Sequence, residues 1–211
     1  MDFQFTEMID HLCLCIAQIT SLARRAIIHT IFLMLSIILS IVHALSLAVW
    51  SGAMFFFSFF VALPTIERMK RFAQTPGNWL NLSTEQQGTR LAGEFLDLVF
   101  AWYFPFQCVC GLLALLTSLW WWNTPGWLAK ARVLVIALAL GGAALNYFVL
   151  APRVHDLRTD RYSSDLAVAE KANAAFGPAH TASLLVDMAT LLCVLIAIVL
   201  IVWLRKETPL T

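Results

Sequence analysis

Four long runs of apolar residues, separated by short polar segments, dominate the pattern along the chain. The runs cover residues 34–63, 95–122, 127–150 and 179–203. Each is long enough to cross about 30 Å of hydrocarbon at a rise of about 1.5 Å per residue. Because backbone groups in lipid need internal partners and each run is continuously apolar, helices are favoured over barrel strands. The pattern predicts an all-α fold, an integral membrane four-helix bundle built by residues 34–211.

The first 33 residues have a different spacing. Apolar positions between Phe5 and Ile27 recur every three or four residues, which is typical of an amphipathic helix that lies in the membrane interface. We therefore expect an N-terminal amphipathic interfacial helix, residues 1–33, as an extension of the bundle. Met34 stands at the edge of the first apolar run, so Met1 and Met34 are alternative starts.

Composition agrees with a membrane protein. Hydrophobic residues make up 60% of the 211 and charged residues 13%, whereas soluble domains carry about 25% charged residues. The expected partner is the lipid bilayer, of a plasma membrane or a bacterial inner membrane, with room for a homo-oligomer or a larger membrane complex. The net charge of +1 and the lack of a basic stripe exclude nucleic acid. No nucleophile motif, phosphate loop or zinc spacing points to an enzyme of the soluble type.

Ionisable groups inside a span are expensive, about 2.5–3.5 kcal/mol each, so they mark candidate functional sites. Depth estimated from position within each run brings one set of polar residues into the same leaflet: Glu94, Asp97, Asn146, His180, Ser183 and Asp187, with Arg153 just beyond.

Histidine and carboxylates are suitable metal ligands. The first hypothesis is therefore a protein that binds or transports a metal ion or small cation at this site. Its predicted ligands are His180, Asp187, Asn146, Glu94 and Asp97, and Arg153 would tune or close the site. The alternative is a hydrogen-bonded knot in a structural subunit that carries no chemistry.

His43 lies near the opposite end of its span, about 20 Å in depth from His180, so the two cannot share one haem. A single axial ligand, His43 or His180, leaves a haem b redox protein acting on quinone or porphyrin as a further alternative. Pro105 could loosen the turn that holds Cys108 and Cys110. Without that loosening the two thiols point apart on a helix and are buried small hydrophobes rather than soft-metal ligands.

Two motifs resemble a known family. Asn146 is followed by Pro152 and Arg153, and His180 is followed by Ser183 and Asp187. On the basis of these two motifs, residues 42–203 resemble the transmembrane protein 205-like family, a domain of unknown function. That family has Asn where this chain has Asp187, and an acid can titrate or bind a cation. Distant similarity to copper-resistance D membrane proteins and haem-containing protoporphyrinogen oxidase implies, by analogy, metal or haem handling.

Overall fold

The computed structural model describes the backbone of residues 2–73, 84–123 and 126–207, and the side chains of residues 24–72, 87–123 and 126–203. Within these described residues, six α-helices and two π-helical segments follow one another. They are α1 (Asp2–Phe56), a π segment (Phe57–Ala62), α2 (Leu63–Ala73), α3 (Thr84–Leu119), α4 (Trp127–Leu145), a π segment (Asn146–Leu150), α5 (Ala151–Asp160) and α6 (Leu166–Glu207). The described residues contain no strand, which confirms the all-α prediction.

In the part of the chain that the structure describes, four stretches of helix are long and apolar enough to cross a membrane. They are Arg24–Phe72, Gln87–Leu119, Trp127–Asp160 and Leu166–Trp203. Large apolar side chains cover much of their outer surface, as at Trp102 and Phe148, which are 81% and 70% exposed. Such a surface is stable against lipid tails and unusual against water. The chain is thus a multi-pass membrane protein, as its apolar runs predict.

Three of these stretches continue past a proline that lies close to a predicted bound. Pro64 and Pro152 each lie two residues after the end of a π segment, inside a continuing helix. Proline has no N–H to donate, and wider π turns let a carbonyl pair with a donor one residue further on. Pro178 lies inside α6, twelve residues after the first residue of that helix, Leu166.

Residues Met1–Ile41 form a compact unit separate from Val42–Thr211. Their helix is continuous from Asp2 through the predicted boundary at residue 33, with no break in the backbone. The side chains of residues 1–23 lie outside the described part, so their amphipathic character stays a prediction. From Arg24 onward the unit exposes Ile27, Ile31 and Met34, each by 60% or more.

The second unit, Val42–Thr211, holds the bundle and its core. Trp50 is fully buried against α3, where the missing side chain of Gly111 makes room for the indole. A Cβ at Gly111 would lie 2.7 Å from Trp50 Cη2. On α4, a Cβ at Gly142 would lie 2.4 Å from the Thr190 hydroxyl of α6. Two glycines therefore set the close approach of the helices around the polar residues described next.

Candidate functional site

Asp187 lies within the bundle and receives hydrogen bonds from α3. Tyr103 donates its hydroxyl to Asp187 Oδ2 at 3.1 Å, and Gln107 donates Nε2 to Oδ1 at 3.2 Å. Gln107 is fully buried and accepts a bond from Trp50 Nε1 at 3.2 Å. Polar side chains from α1, α3 and α6 are thereby joined in one chain of hydrogen bonds.

A second pair of bonds lies one turn away on α6. Asn146 donates Nδ2 to the Ser183 carbonyl at 3.2 Å, and the Ser183 hydroxyl donates to Asn146 Oδ1 at 2.9 Å. Asn146 is fully buried at the start of the second π segment. The Asp187 cluster, as we use the term, comprises both groups: Trp50, Tyr103, Gln107, Asn146, Ser183 and Asp187.

The charge of Asp187 has no counterpart in the described part of the chain. Its partners Tyr103 and Gln107 are neutral donors, and no described Lys, Arg or His forms an ion pair with it. Two donors stabilise a carboxylate, but they do not cancel its charge. The cluster therefore holds one uncompensated acidic group inside the bundle.

The structure places the other predicted acidic ligands elsewhere. Glu94 is exposed and pairs with Arg90, four residues earlier on α3, at 3.0 Å. Asp97 forms an ion pair with Arg158 and a hydrogen bond with His155 Nδ1, the latter at 3.0 Å. These carboxylates are satisfied by charges on α3 and α5 and do not contribute hydrogen bonds to the Asp187 cluster.

The absence of a side chain at Gly93 allows Arg158 to reach Asp97. A Cβ at Gly93 would lie 2.8 Å from Arg158 Cδ, and Arg158 donates Nη1 to the Gly93 carbonyl at 2.9 Å. The missing side chain lets the guanidinium rest on α3 beside Asp97. Arg153 is exposed on α5, and the cation that pairs with Asp97 is Arg158, five residues after this arginine of the sequence motif.

The predicted metal site is not assembled. His180 is half-buried with its ring stacked on Phe176 at 5.5 Å between centroids. Within residues 24–72, 87–123 and 126–203, no three His, Cys, Asp or Glu side chains are grouped to hold a metal ion. Pro105 lies inside α3, and the nearby Cys110 is a buried core residue. The candidate ligands Glu94, Asp97, His180 and Asp187 therefore do not form one coordination site.

His43 belongs to a second polar cluster, at the end of α3. Its Nδ1 lies 3.1 Å from the Ala114 carbonyl and 2.9 Å from Thr117 Oγ1. A carbonyl only accepts, so Nδ1 carries the proton, and in neutral imidazole Nε2 is then the acceptor. Nε2 is buried and has no hydrogen-bond partner.

Arg132 completes this cluster from the first turns of α4. Its guanidinium carbon lies 5.3 Å from the Trp121 ring centre, and the His43 ring lies 5.9 Å from the same ring. Arg132 is only 6% exposed, and its Nε and Nη2 have no hydrogen-bond partner. A cation–π contact is worth about 0.5–2 kcal/mol and leaves N–H donors unpaired, each at a cost of about 1–3 kcal/mol. The His43 cluster comprises His43, Thr117, Trp121 and Arg132.

Residues central to both clusters were missed by sequence reasoning. Gln107 is the one amide in the apolar run 95–122, and Tyr103 lies four residues before it on the same helical face. An amide inside a span is itself a signal of buried hydrogen bonding. Arg132 follows a surface lysine near a span end, so sequence alone classes it with the loop charges. Its burial depends on the packing of Trp121, which spacing does not reveal.

Fold and clusters together define a class: multi-pass α-helical membrane proteins with buried polar groups between the helices. Within that class the chain belongs to the family of the domain of unknown function DUF4149, whose model matches residues 45–163. No curated protein and no solved structure matches the chain significantly. The match includes Tyr103, Gln107, Arg132 and Asn146, while Asp187 lies beyond it. It supports an uncharacterised domain family, while the specific resemblance to transmembrane protein 205-like proteins, and through it to copper-resistance D proteins, stays an expectation.

Proposed function

We propose that the protein binds a small cation, a proton or a monovalent metal ion, at the Asp187 cluster. The observation that carries the proposal is the uncompensated carboxylate of Asp187, whose described partners are neutral donors. An ionisable residue inside a membrane span marks a functional site by default, and ion and proton pathways are where such residues occur. A single positive charge would balance this acid.

The ligand chemistry favours a hard monovalent ion or a proton over a transition metal. The oxygens at this site are the two of the Asp187 carboxylate and the phenol oxygen of Tyr103, and the Ser183 hydroxyl lies one turn away on α6. Oxygen ligands suit hard cations, whereas thiolate and imidazole ligands suit zinc or copper. His180, the imidazole predicted to take part, stacks on Phe176 instead.

The test compares Asp187→Asn with Asp156→Asn, a control that removes an exposed carboxylate on α5. Thermal unfolding of the detergent-purified protein is followed in Na⁺, K⁺ or choline at one ionic strength, and across a pH series. We expect the wild-type protein to gain about 1.4 kcal/mol at a cation concentration ten times Kd, or an equivalent gain on protonation. Asp187→Asn should abolish this dependence and Asp156→Asn should keep it.

Two results would contradict the proposal. One is a wild-type protein whose stability responds to neither cations nor protons beyond the response of Asp187→Asn. The other is a response that both carboxylate variants lose equally. Either would leave the Asp187 cluster as a packing element, the structural alternative.

A haem protein is a second candidate because one observation favours it. His43 donates from Nδ1 and leaves Nε2 free, the arrangement of a histidine that ligates iron. Against it, Nε2 is buried and the Trp121 ring lies 5.9 Å from the His43 ring, so a porphyrin at Nε2 would require rearrangement of the surrounding side chains. An absorbance spectrum of the purified protein decides: a Soret band lost in His43→Ala would establish haem.

A further inference from the structure

Arg132 and His43 share a feature that the cation proposal does not use. Every buried side-chain nitrogen or oxygen without a hydrogen-bond partner, among the side chains that the structure describes, belongs to one of these two residues. The atoms are Nε and Nη2 of Arg132 and Nε2 of His43, in side chains only 6% and 2% exposed. Buried polar groups in proteins nearly always have a hydrogen-bond partner. Three unpaired atoms in two residues beside Trp121 therefore indicate a missing hydrogen-bond partner.

The chemistry of the three atoms specifies that partner. Arg132 offers two donor nitrogens of a planar guanidinium that keeps its charge, and it has no described carboxylate partner. Such a fork matches the oxygens of a phosphate or carboxylate. His43 Nε2 accepts a hydrogen bond, so the partner also carries a donor. A protonated phosphate has both, as does a phosphate with an adjacent hydroxyl or ammonium group.

The position of the cluster agrees with a phosphate at the membrane surface. Arg132 lies five residues after Trp127, where α4 begins, about 8 Å along the helix axis. Tryptophans gather at this connection, as they do at headgroup level in membrane proteins. Trp121 is only half-buried and lies beside both side chains, so the cluster borders the exposed surface of the protein.

We propose that the His43 cluster binds a phosphate group, which accepts hydrogen bonds from Arg132 and donates one to His43. The group is either part of a phospholipid headgroup or a free phosphate. The site shares no residue with the Asp187 cluster, so it stands whether or not the protein binds a cation there.

The experiment uses the full chain in detergent after exhaustive removal of lipid. One arm measures thermal unfolding in inorganic phosphate against chloride at equal ionic strength. The other adds phosphatidylglycerol against diacylglycerol, which has the same acyl chains without phosphate. Arg132→Gln is compared with Lys130→Gln, which removes an exposed charge two residues earlier on the same helix. We expect Arg132→Gln to weaken apparent affinity about 10- to 100-fold and Lys130→Gln to leave it unchanged.

Arg132→Lys keeps the charge but not the fork, so it tests the site even if the glutamine variant fails to fold. We expect it to bind phosphate more weakly than Lys130→Gln does. Stabilisation by inorganic phosphate assigns a free phosphate, and stabilisation by phosphatidylglycerol alone assigns a lipid headgroup. Stabilisation by neither, or an equal response in the Arg132 and Lys130 variants, overturns the proposal. A Soret band that depends on His43 also overturns it, because iron would then occupy Nε2.

Discussion

The Asp187 cluster and the His43 cluster contain opposite charges and satisfy them differently. Around Asp187, both carboxylate oxygens and the Trp50 indole have hydrogen-bond partners in the protein. What this cluster lacks is a positive charge to balance the carboxylate. Around Arg132, the guanidinium stacks on Trp121 while its Nε and Nη2 stay unpaired. The first cluster is complete as a hydrogen-bond network and needs only a counter-charge. The second lacks hydrogen-bond partners as well, so it calls for a ligand with several polar atoms.

This difference gives each cluster its own sensitivity to mutation. A closed network should lose stability when any member is removed, because a buried partner is left unsatisfied. An open cluster should lose little stability when one of its hydrogen bonds within the protein is removed. It should lose much of its ligand affinity when a side chain that contacts the ligand is removed. Substitutions at Gly142, Gln107 and Thr117 test this contrast, in decreasing order of the expected change in the free energy of unfolding.

Gly142→Ala should disturb the Asp187 cluster most, through the backbone of α4. Its Cβ would lie 2.4 Å from Thr190 Oγ1, and that hydroxyl is held by the Val186 carbonyl at 2.8 Å. Separation of α4 from α6 would strain the bonds between Asn146 and Ser183. We expect a loss of about 1–3 kcal/mol, measured by thermal unfolding in detergent.

Gly141→Ala is the matched control, because nothing lies within 4 Å of a Cβ there. It should be neutral or slightly stabilising, since alanine favours helix more than glycine. Thr190→Ala in the Gly142→Ala background should recover most of the loss. An equal loss in both glycine variants would show that helix approach at Gly142 does not support the cluster.

Gln107→Leu tests whether the network is closed. The change takes one donor from Asp187 and leaves the Trp50 indole N–H buried without an acceptor. We expect a loss of about 1–2 kcal/mol. In an Asp187→Asn background the loss should be smaller, because a neutral amide needs its donors less than a carboxylate does. Additive losses in this double-mutant cycle would mean that Gln107 and Asp187 act independently.

The sequence predicts the fold and part of the first cluster for physical reasons. Four continuous apolar runs specify membrane helices, because length and hydrophobicity determine whether a helix can span. Depth within the spans predicts that Asn146 and Ser183 lie close together, and the two residues do form hydrogen bonds with each other. Depth says nothing about which face of a helix turns inward, however. Depth alone therefore groups Asp97 with Asp187, although the space at Gly93 lets Arg158 form an ion pair with Asp97.

Thr117→Val should have the smallest effect and would separate the two clusters most cleanly. The change removes one partner of His43 Nδ1 while keeping the shape of the side chain. Nδ1 can still donate to the Ala114 carbonyl, 3.1 Å away, so no buried donor is left unpaired. We expect a loss of at most about 0.6 kcal/mol, the average for a hydrogen bond between membrane helices. Thermal unfolding beside Gln107→Leu measures it, and a loss as large as that of Gln107→Leu would show that the His43 cluster is also a closed network.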